Sequence, residues 1–230
     1  MEQNKKIMLF SGGKDGAYAL LKMPVDMIVS FVSLNGQTQF HAGPEVPAKL
    51  LEDILKLINI PFKQIAISST DNYLYTIFST LAGEAQAGQY KYLITGDLFH
   101  PYTNGIGDML AGALGLEIIR PAKADCPTRE QAENYMRQVI AAGIKAQIIS
   151  IRDHLPEELL GLEVDNRLID KLVNLGIDPS GEGGEYQTIV TGFPLMPKQI
   201  IIDKTKMEAV LGRNQKEKFK KLDILKYHIE

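Results

Sequence analysis

The chain has 230 residues, 45% of them hydrophobic and 23% charged, with a formal net charge of -3. That mixture excludes a disordered chain, and the slight acidity gives no electrostatic reason to expect nucleic acid or an anionic membrane as a partner. A single cysteine, Cys126, rules out an intramolecular disulfide and a cysteine-rich zinc site.

No apolar run approaches the ~20 residues needed to span a bilayer, and the start, MEQNKK, leads into a short strand-like run, so a cytoplasmic protein is expected. Short apolar runs then alternate with longer amphipathic stretches. Strands are expected at Lys6 to Phe10, Met27 to Leu34, Phe62 to Ile67, Tyr90 to Thr95 and Glu117 to Arg120. Helices are expected between them at Ala17 to Lys22, Val46 to Ile58, Asn72 to Ala87 and Gly107 to Leu114, with Asp71 and Gly115 as caps. This order implies an α/β domain, a doubly wound parallel sheet with right-handed crossovers.

The second half is more mixed. DCPTREQAENYMRQVIAAG (125–143) reads as one helix with Pro127 in its first turn and Gly143 as its stop. The strand KAQIISI follows, then a polar helix around Asp165 to Leu175, a glycine-rich stretch, strands at Tyr186 to Thr191 and Gln199 to Ile202, and a final strand in KLDILKYHIE. We expect two domains, 1–124 and 125–230, the second a smaller α+β unit.

Two loops carry chemistry. In the first, a strand ends in Ser11-Gly12-Gly13-Lys14-Asp15-Gly16 and turns into a helix. Glycines there let the backbone approach a ligand, N–H groups at a helix start suit phosphate, and Lys14 offsets phosphate charge. Asp15 makes sense beside a phosphate if it holds Mg²⁺ or a water on it. The turn lacks the spacing of a Walker A loop and of GxGxxG. In the second loop, SGEGGEYQT (180–188), Glu182 and Glu185 place two carboxylates three positions apart among Gly181, Gly183 and Gly184. Such a loop can grip a metal, an amine or ammonia, act as a general base, or be a surface turn only.

The first loop resembles the PP-loop, SGGxDS, of the ATP pyrophosphatase group, with Gly16 where that group has serine. Together, SGGKD, Phe40-His41, Gly96-Asp97 and EGGEYQT resemble, in order and spacing, the diphthine–ammonia ligase family, over nearly the whole chain. The resemblance implies a HUP-type ATP-binding domain, followed by a smaller domain carrying the substrate motif. It implies ATP and Mg²⁺ as cofactors, a carboxylate substrate and ammonia as partners, and a homodimer. Carried over by position, Ser11, Gly12, Gly13, Lys14 and Asp15 bind the phosphates and Mg²⁺, with Asp15 on the metal. Glu182, Gly183, Gly184, Glu185 and Thr188 line the substrate side, and Lys14, Asp15, Glu182 and Glu185 carry the catalysis. Gln187 stands where family members often have glutamate or histidine.

Ligands of a doubly wound sheet sit outside the carboxyl ends of its strands, where Ser33, His41, Gly96 and Asp97 fall, so these join Gly16 as nucleotide-pocket candidates. His100 and His154 are lone histidines with no metal-ligand spacing. Cys126, before a proline at a helix start, is read as buried or as a thiol of lowered pKa. Tyr73, Tyr75 and Phe78 read as core and rim, and Lys204 to Lys221 as a solvated face. The function expected is an AMP-forming ligase that adenylates a carboxylate and amidates it. The alternatives are a PP-loop tRNA-modifying enzyme and a nucleotide-binding regulatory protein without turnover.

Overall fold

The structure, a computed structural model, describes residues 4–33, 47–67, 73–99, 105–211 and 217–230. Its first half contains the strands β1 (Lys5–Leu9), β2 (Met27–Ser33), β3 (Phe62–Ile67), β4 (Tyr90–Ile94) and β5 (Glu117–Ile119), and the helices α1 (Lys14–Lys22), α2 (Ala48–Ile58), α3 (Tyr73–Gly88) and α4 (Ile106–Leu114). The five strands form one parallel sheet in the order β3-β2-β1-β4-β5. Strand order reverses between β1 and β4, so the crevice outside the carboxyl ends of these two is where such a sheet accepts a ligand.

Side chains alternate across the sheet and fill both faces. Met8, Ile28 and Ile94 pack with Ala17, Leu20, Leu50 and Ile54 from α1 and α2 on one side. Ile7, Val29 and Leu93 pack with Ile77, Leu81 and Leu110 from α3 and α4 on the other. This is the α/β, doubly wound sheet expected from the alternation of strands and helices. Gly115 caps α4 in the left-handed region (φ 66°), as expected of a glycine at that position. Asp71, the cap expected for α3, lies outside the described residues.

The second half begins with a correction. The expected single helix from Asp125 onward is broken: α5 (Pro121–Asp125) ends where it was to begin, and a 3₁₀ turn (Arg129–Gln131) and α6 (Ala132–Ala141) follow. Pro127 is the reason, because its ring disfavours helical backbone at the residue before it, and Cys126 is out of the helical region at φ -139°, ψ 70°. β6 (Lys145–Arg152), α7 (Asn166–Asn174), β7 (Tyr186–Gly192), β8 (Ile200–Leu211) and β9 (Lys218–Ile229) follow. Asp165 caps α7 by accepting the Leu168 N–H at 2.8 Å. The four strands form an antiparallel sheet in the order β7-β6-β9-β8.

β8 runs well beyond the expected Ile202, because its charged residues alternate on a two-stranded arm paired with β9 along its length. Lys204, Lys206 and Lys218 are exposed there, the solvated face expected of this segment. The buried cluster on the α1 face of the first sheet continues through Tyr135, Met136, Ile148 and Ile189, so one core joins the two sheets. That continuity brings β7 against the start of α1, where Val190 N–H donates to the Gly12 carbonyl at 2.8 Å.

Candidate active site

α1 begins at Lys14, earlier than the apolar pattern alone suggests, so the first loop is Phe10 to Gly13 and Lys14, Asp15 and Gly16 form the first helical turn. The first N–H groups of a helix have no acceptor within it. The Lys14 N–H is taken by Thr188 Oγ1 at 3.3 Å, while no side chain caps α1 from Gly13. Gly12 adopts φ +86°, and a Cβ there would lie 2.8 Å from Ile189 Cδ1, so glycine is demanded by both conformation and packing.

Gly96, just beyond β4, closes this turn from the other side. A Cβ on it would lie 2.7 Å from Gly16 N and 2.9 Å from the Asp15 carbonyl carbon. Gly96 therefore approaches the backbone of the first turn of α1 itself, which is a physical role beyond the approach to a nucleotide expected from its position. At Gly16, where the PP-loop pattern has serine, a Cβ would lie 2.8 Å from Phe10 Cδ2. The buried Phe10 ring fills the volume that a serine side chain would need.

Lys14 is buried, with 3% of its surface exposed. Its Nζ pairs with Asp15 Oδ2 at 2.8 Å, donates to the Ser180 carbonyl at 2.6 Å, and lies 5.4 Å from the centre of the Tyr186 ring. Burial alone would pull its pKa down; the charge of Asp15, then Tyr186, the hydrogen bond to Asp15 and the charge of Glu182 outweigh that and hold it above the ordinary lysine value. Asp15 is braced on its other oxygen, where Oδ1 accepts the Tyr135 hydroxyl at 2.8 Å. Tyr135 was not singled out by the sequence, since a tyrosine 120 positions away on α6 carries no spacing signal toward this loop.

The second loop is built from polar contacts. Asp178 Oδ1 accepts both the Ser180 N–H (2.8 Å) and the Ser180 hydroxyl (2.7 Å), and Oδ2 pairs with Arg129 Nε at 2.8 Å. Arg129 also holds Glu185 Oε1 at 2.9 Å. Arg152 donates to the carbonyls of Gly184 (3.0 Å) and Gly183 (3.1 Å) from below. Ser180, whose carbonyl takes Lys14, is thus positioned by Asp178 and, through it, by Arg129. None of Asp178, Arg129 and Arg152 was picked out from the sequence; the stretch GIDPSGEGGE contains the first of them, and the other two lie on separate elements.

Glu182 reaches across to the first half of the chain. Its Oε1 accepts the Leu98 N–H at 3.3 Å. Burial pushes its carboxyl up to about 8, the charge of Asp15 adds to this, Lys14 partly opposes it and Asp97 raises it further. Asp97 lies 3.5 Å from Arg120 Nε, and the two terminal nitrogens of Arg120 pair with Asp108. Of the remaining candidates, Ser33 is the last residue of β2, and His41 lies outside the described residues, as does His100. His154 is exposed. Cys126 is buried, and burial together with the carboxylates of Asp178, Asp15 and Glu182 pushes its thiol up to about 11, which corrects the reading of a lowered pKa. Among the described residues, no three histidine, cysteine, aspartate or glutamate side chains form a metal-binding group by themselves.

The geometry therefore joins the two glycine-rich loops at one place, from opposite ends of the chain. Residues 131–222 match the model of the diphthamide synthase C-terminal domain. A mouse diphthine–ammonia ligase is 24% identical over 236 aligned positions, covering 88% of this chain and 84% of that protein. The human diphthine–ammonia ligase is 34% identical over 80 positions, covering 33% of this chain and 30% of that protein. The rat protein of the same name is 34% identical over 84 positions, covering 34% and 31%. The chain is thus similar to diphthine–ammonia ligases, over most of its length to the mouse protein and over a third of it to the human and rat proteins. The C-terminal match contains Tyr135 and the whole of the second loop, so both reach the first loop from the matched region. Among the described residues, no helix is long and apolar enough to cross a membrane.

Proposed function

We propose that the chain is an ATP-dependent, AMP-forming ligase that activates a carboxylate and amidates it with ammonia. The observation that carries this reading is the meeting of the loops: Lys14 Nζ on the Ser180 carbonyl, Lys14 N–H on Thr188 Oγ1, and Val190 N–H on the Gly12 carbonyl. A reaction between a nucleotide and a carboxylate needs two binding surfaces held within reach of each other, and the rate gain comes largely from that positioning. The names of the mouse, human and rat relatives support ligase chemistry with ammonia.

In this reading residues 1–124 hold ATP and residues 125–230 present the substrate. Ser11, Gly12, Gly13, Lys14, Asp15 and Gly16 bind the phosphates, with Gly96, Asp97, Ser33 and His41 around the nucleotide. Asp15 fits a Mg²⁺ that arrives with the phosphates: each of its oxygens accepts one donor, from Tyr135 and Lys14, and each keeps a further lone pair. Mg²⁺ is commonly held by one or two carboxylates plus phosphate oxygens, and it supplies neutralisation of phosphate charge. The raised pKa of Glu182 points the same way, since Asp15, Asp97 and Glu182 concentrate negative charge that a cation relieves.

The substrate carboxylate displaces pyrophosphate from the α-phosphorus, and ammonia then displaces AMP from the acyl carbon. Glu182, with a carboxyl near 8, accepts the proton that the attacking nitrogen loses. Lys14 stabilises charge at the phosphates, while Glu185, Gly183, Gly184 and Thr188 line the substrate side. A homodimer in the cytoplasm completes the reading.

The test is an incubation with Mg·ATP labelled at the α and γ positions, ammonium and a panel of carboxylic acids. AMP and pyrophosphate in equal amounts, dependent on one acid and lost in the Lys14→Ala/Asp15→Ala double variant, are expected. AMP formation unchanged in that variant overturns the assignment. Stimulation by tRNA instead of an acid would move it to base modification. The packing of Phe10 against Gly16 favours one other reading, nucleotide binding without turnover, which tight ATP binding with no AMP from any acid would support.

A further inference from the structure

Asp15 is held from two directions by two parts of the chain. Lys14 takes Oδ2 from the same helical turn, and the Tyr135 hydroxyl donates to Oδ1 from α6. Tyr135 is wholly buried, and its ring meets Tyr18 edge to face, 5.2 Å between centres at 81°. Behind it, the Tyr18 hydroxyl lies 2.8 Å from Asp125 Oδ2 and 3.2 Å from Gln138 Oε1, and Asp125 pairs with Lys22 at 2.9 Å. The Tyr135 ring is therefore packed against α1 through Tyr18, whose own hydroxyl is tied to α5 and α6.

A buried tyrosine hydroxyl needs an acceptor, and carbonyls or amides commonly serve. Here it is directed at a carboxylate whose side chain keeps 23% of its surface exposed. The two donors, one on each oxygen, fix the plane of that carboxylate and leave part of it exposed. Groups that orient a metal-binding carboxylate in this way matter to affinity nearly as much as the ligands do.

We propose that Tyr135 is a positioning residue of the nucleotide site: it acts through Asp15, setting the carboxylate in the orientation that accepts the Mg²⁺ of Mg·ATP. The inference rests on the ATP-binding reading above. It assigns to the second half of the chain a part in nucleotide binding, beyond presenting the substrate. Because the tyrosine touches neither nucleotide nor metal in this scheme, its loss should be felt in the metal dependence of binding and should vanish once Asp15 can no longer hold a metal.

Calorimetric titration of the full chain with Mg·ATP, and with ATP in the presence of EDTA, tests this for the unmodified protein and for Tyr135→Phe, Asp15→Asn and the double variant. Titrations are run at 10 °C after circular dichroism shows each variant folded. Tyr135→Phe should weaken Mg·ATP about tenfold or more, the usual cost of removing an orienting partner. It should leave metal-free ATP within about twofold of the unmodified protein, and cost nothing further in the Asp15→Asn background. Tyr135→His, which keeps a ring N–H donor, should recover part of the Mg²⁺-dependent affinity; should Tyr135→Phe fail to fold, this variant's ratio of Mg·ATP to metal-free affinity decides instead. Equal losses with and without Mg²⁺, or a loss that adds to that of Asp15→Asn, overturn the role of Tyr135 while leaving ATP binding in place. Absence of Mg·ATP binding by the unmodified chain overturns the nucleotide reading itself.

Discussion

The two glycine-rich loops look alike as strings of letters and are held by different forces. In the first, glycines make room: Gly12 for Ile189, Gly16 for Phe10, and Gly96 for the backbone of Asp15 and Gly16. In the second, Asp178, Arg129 and Arg152 hold the chain by ion pairs and by hydrogen bonds to its carbonyls. A steric loop fails abruptly where an added atom meets backbone and mildly where it meets a side chain that can shift, whereas a polar loop fails according to how deeply each partner is buried. The lesson is that composition identifies both loops as candidate sites without revealing how either keeps its shape.

Gly96→Ala should break this contrast most sharply. The added methyl would meet backbone atoms at 2.7 and 2.9 Å, and no flexible side chain can yield. A loss of about 3 kcal/mol is expected in urea unfolding, the upper end for overpacking. Next comes Asp178→Ala in the polar loop. It strands the Ser180 N–H and hydroxyl and leaves the Arg129 guanidinium with Glu185 alone, and about 2 kcal/mol should be lost. Arg129 is 60% exposed, so solvent screens that part of the loss. A Gly96→Ala protein as stable as the unmodified one would remove the steric half of the comparison.

A pH experiment sharpens the electrostatic half. Glu182 binds a proton more tightly folded, near 8, than unfolded, near 4.5. Between those values the folded chain holds a proton that the unfolded chain has released, so stability falls as pH rises. The contribution is fully present below about 4.5 and is lost as pH passes through about 8. Glu182→Gln should therefore flatten the decline between pH 5 and 8 by on the order of 2 kcal/mol, read as melting temperature against pH. A parallel decline in both proteins would show that other groups set the slope.

The smallest effect is expected at Gly16. Gly16→Ser presses on a ring edge rather than on backbone, and Phe10 can shift, so the cost should be about 1 kcal/mol. Phe10→Leu should cost stability alone yet less in the Gly16→Ser background, and chemical unfolding of the four proteins measures that coupling. Strict additivity would mean that the two positions do not share the space.

By itself the sequence determined the order of strands and helices in the first half, the cap at Gly115, and the two loops worth suspecting. Those features are local: burial on a sheet or helix imposes a repeat of apolar residues within a few positions, and helix ends and tight turns impose residue types at single sites. The break at Cys126 is legible too, since Pro127 disfavours helical backbone at the residue before it. The tertiary structure alone decided that Lys14 meets Ser180, that Tyr135 meets Asp15, and that Arg129 meets Asp178 and Glu185. These contacts join residues 49 to 166 positions apart, and no periodicity links such positions. They exist because one shared core presses β7 and α6 against α1, and burial then makes every enclosed polar group find a partner.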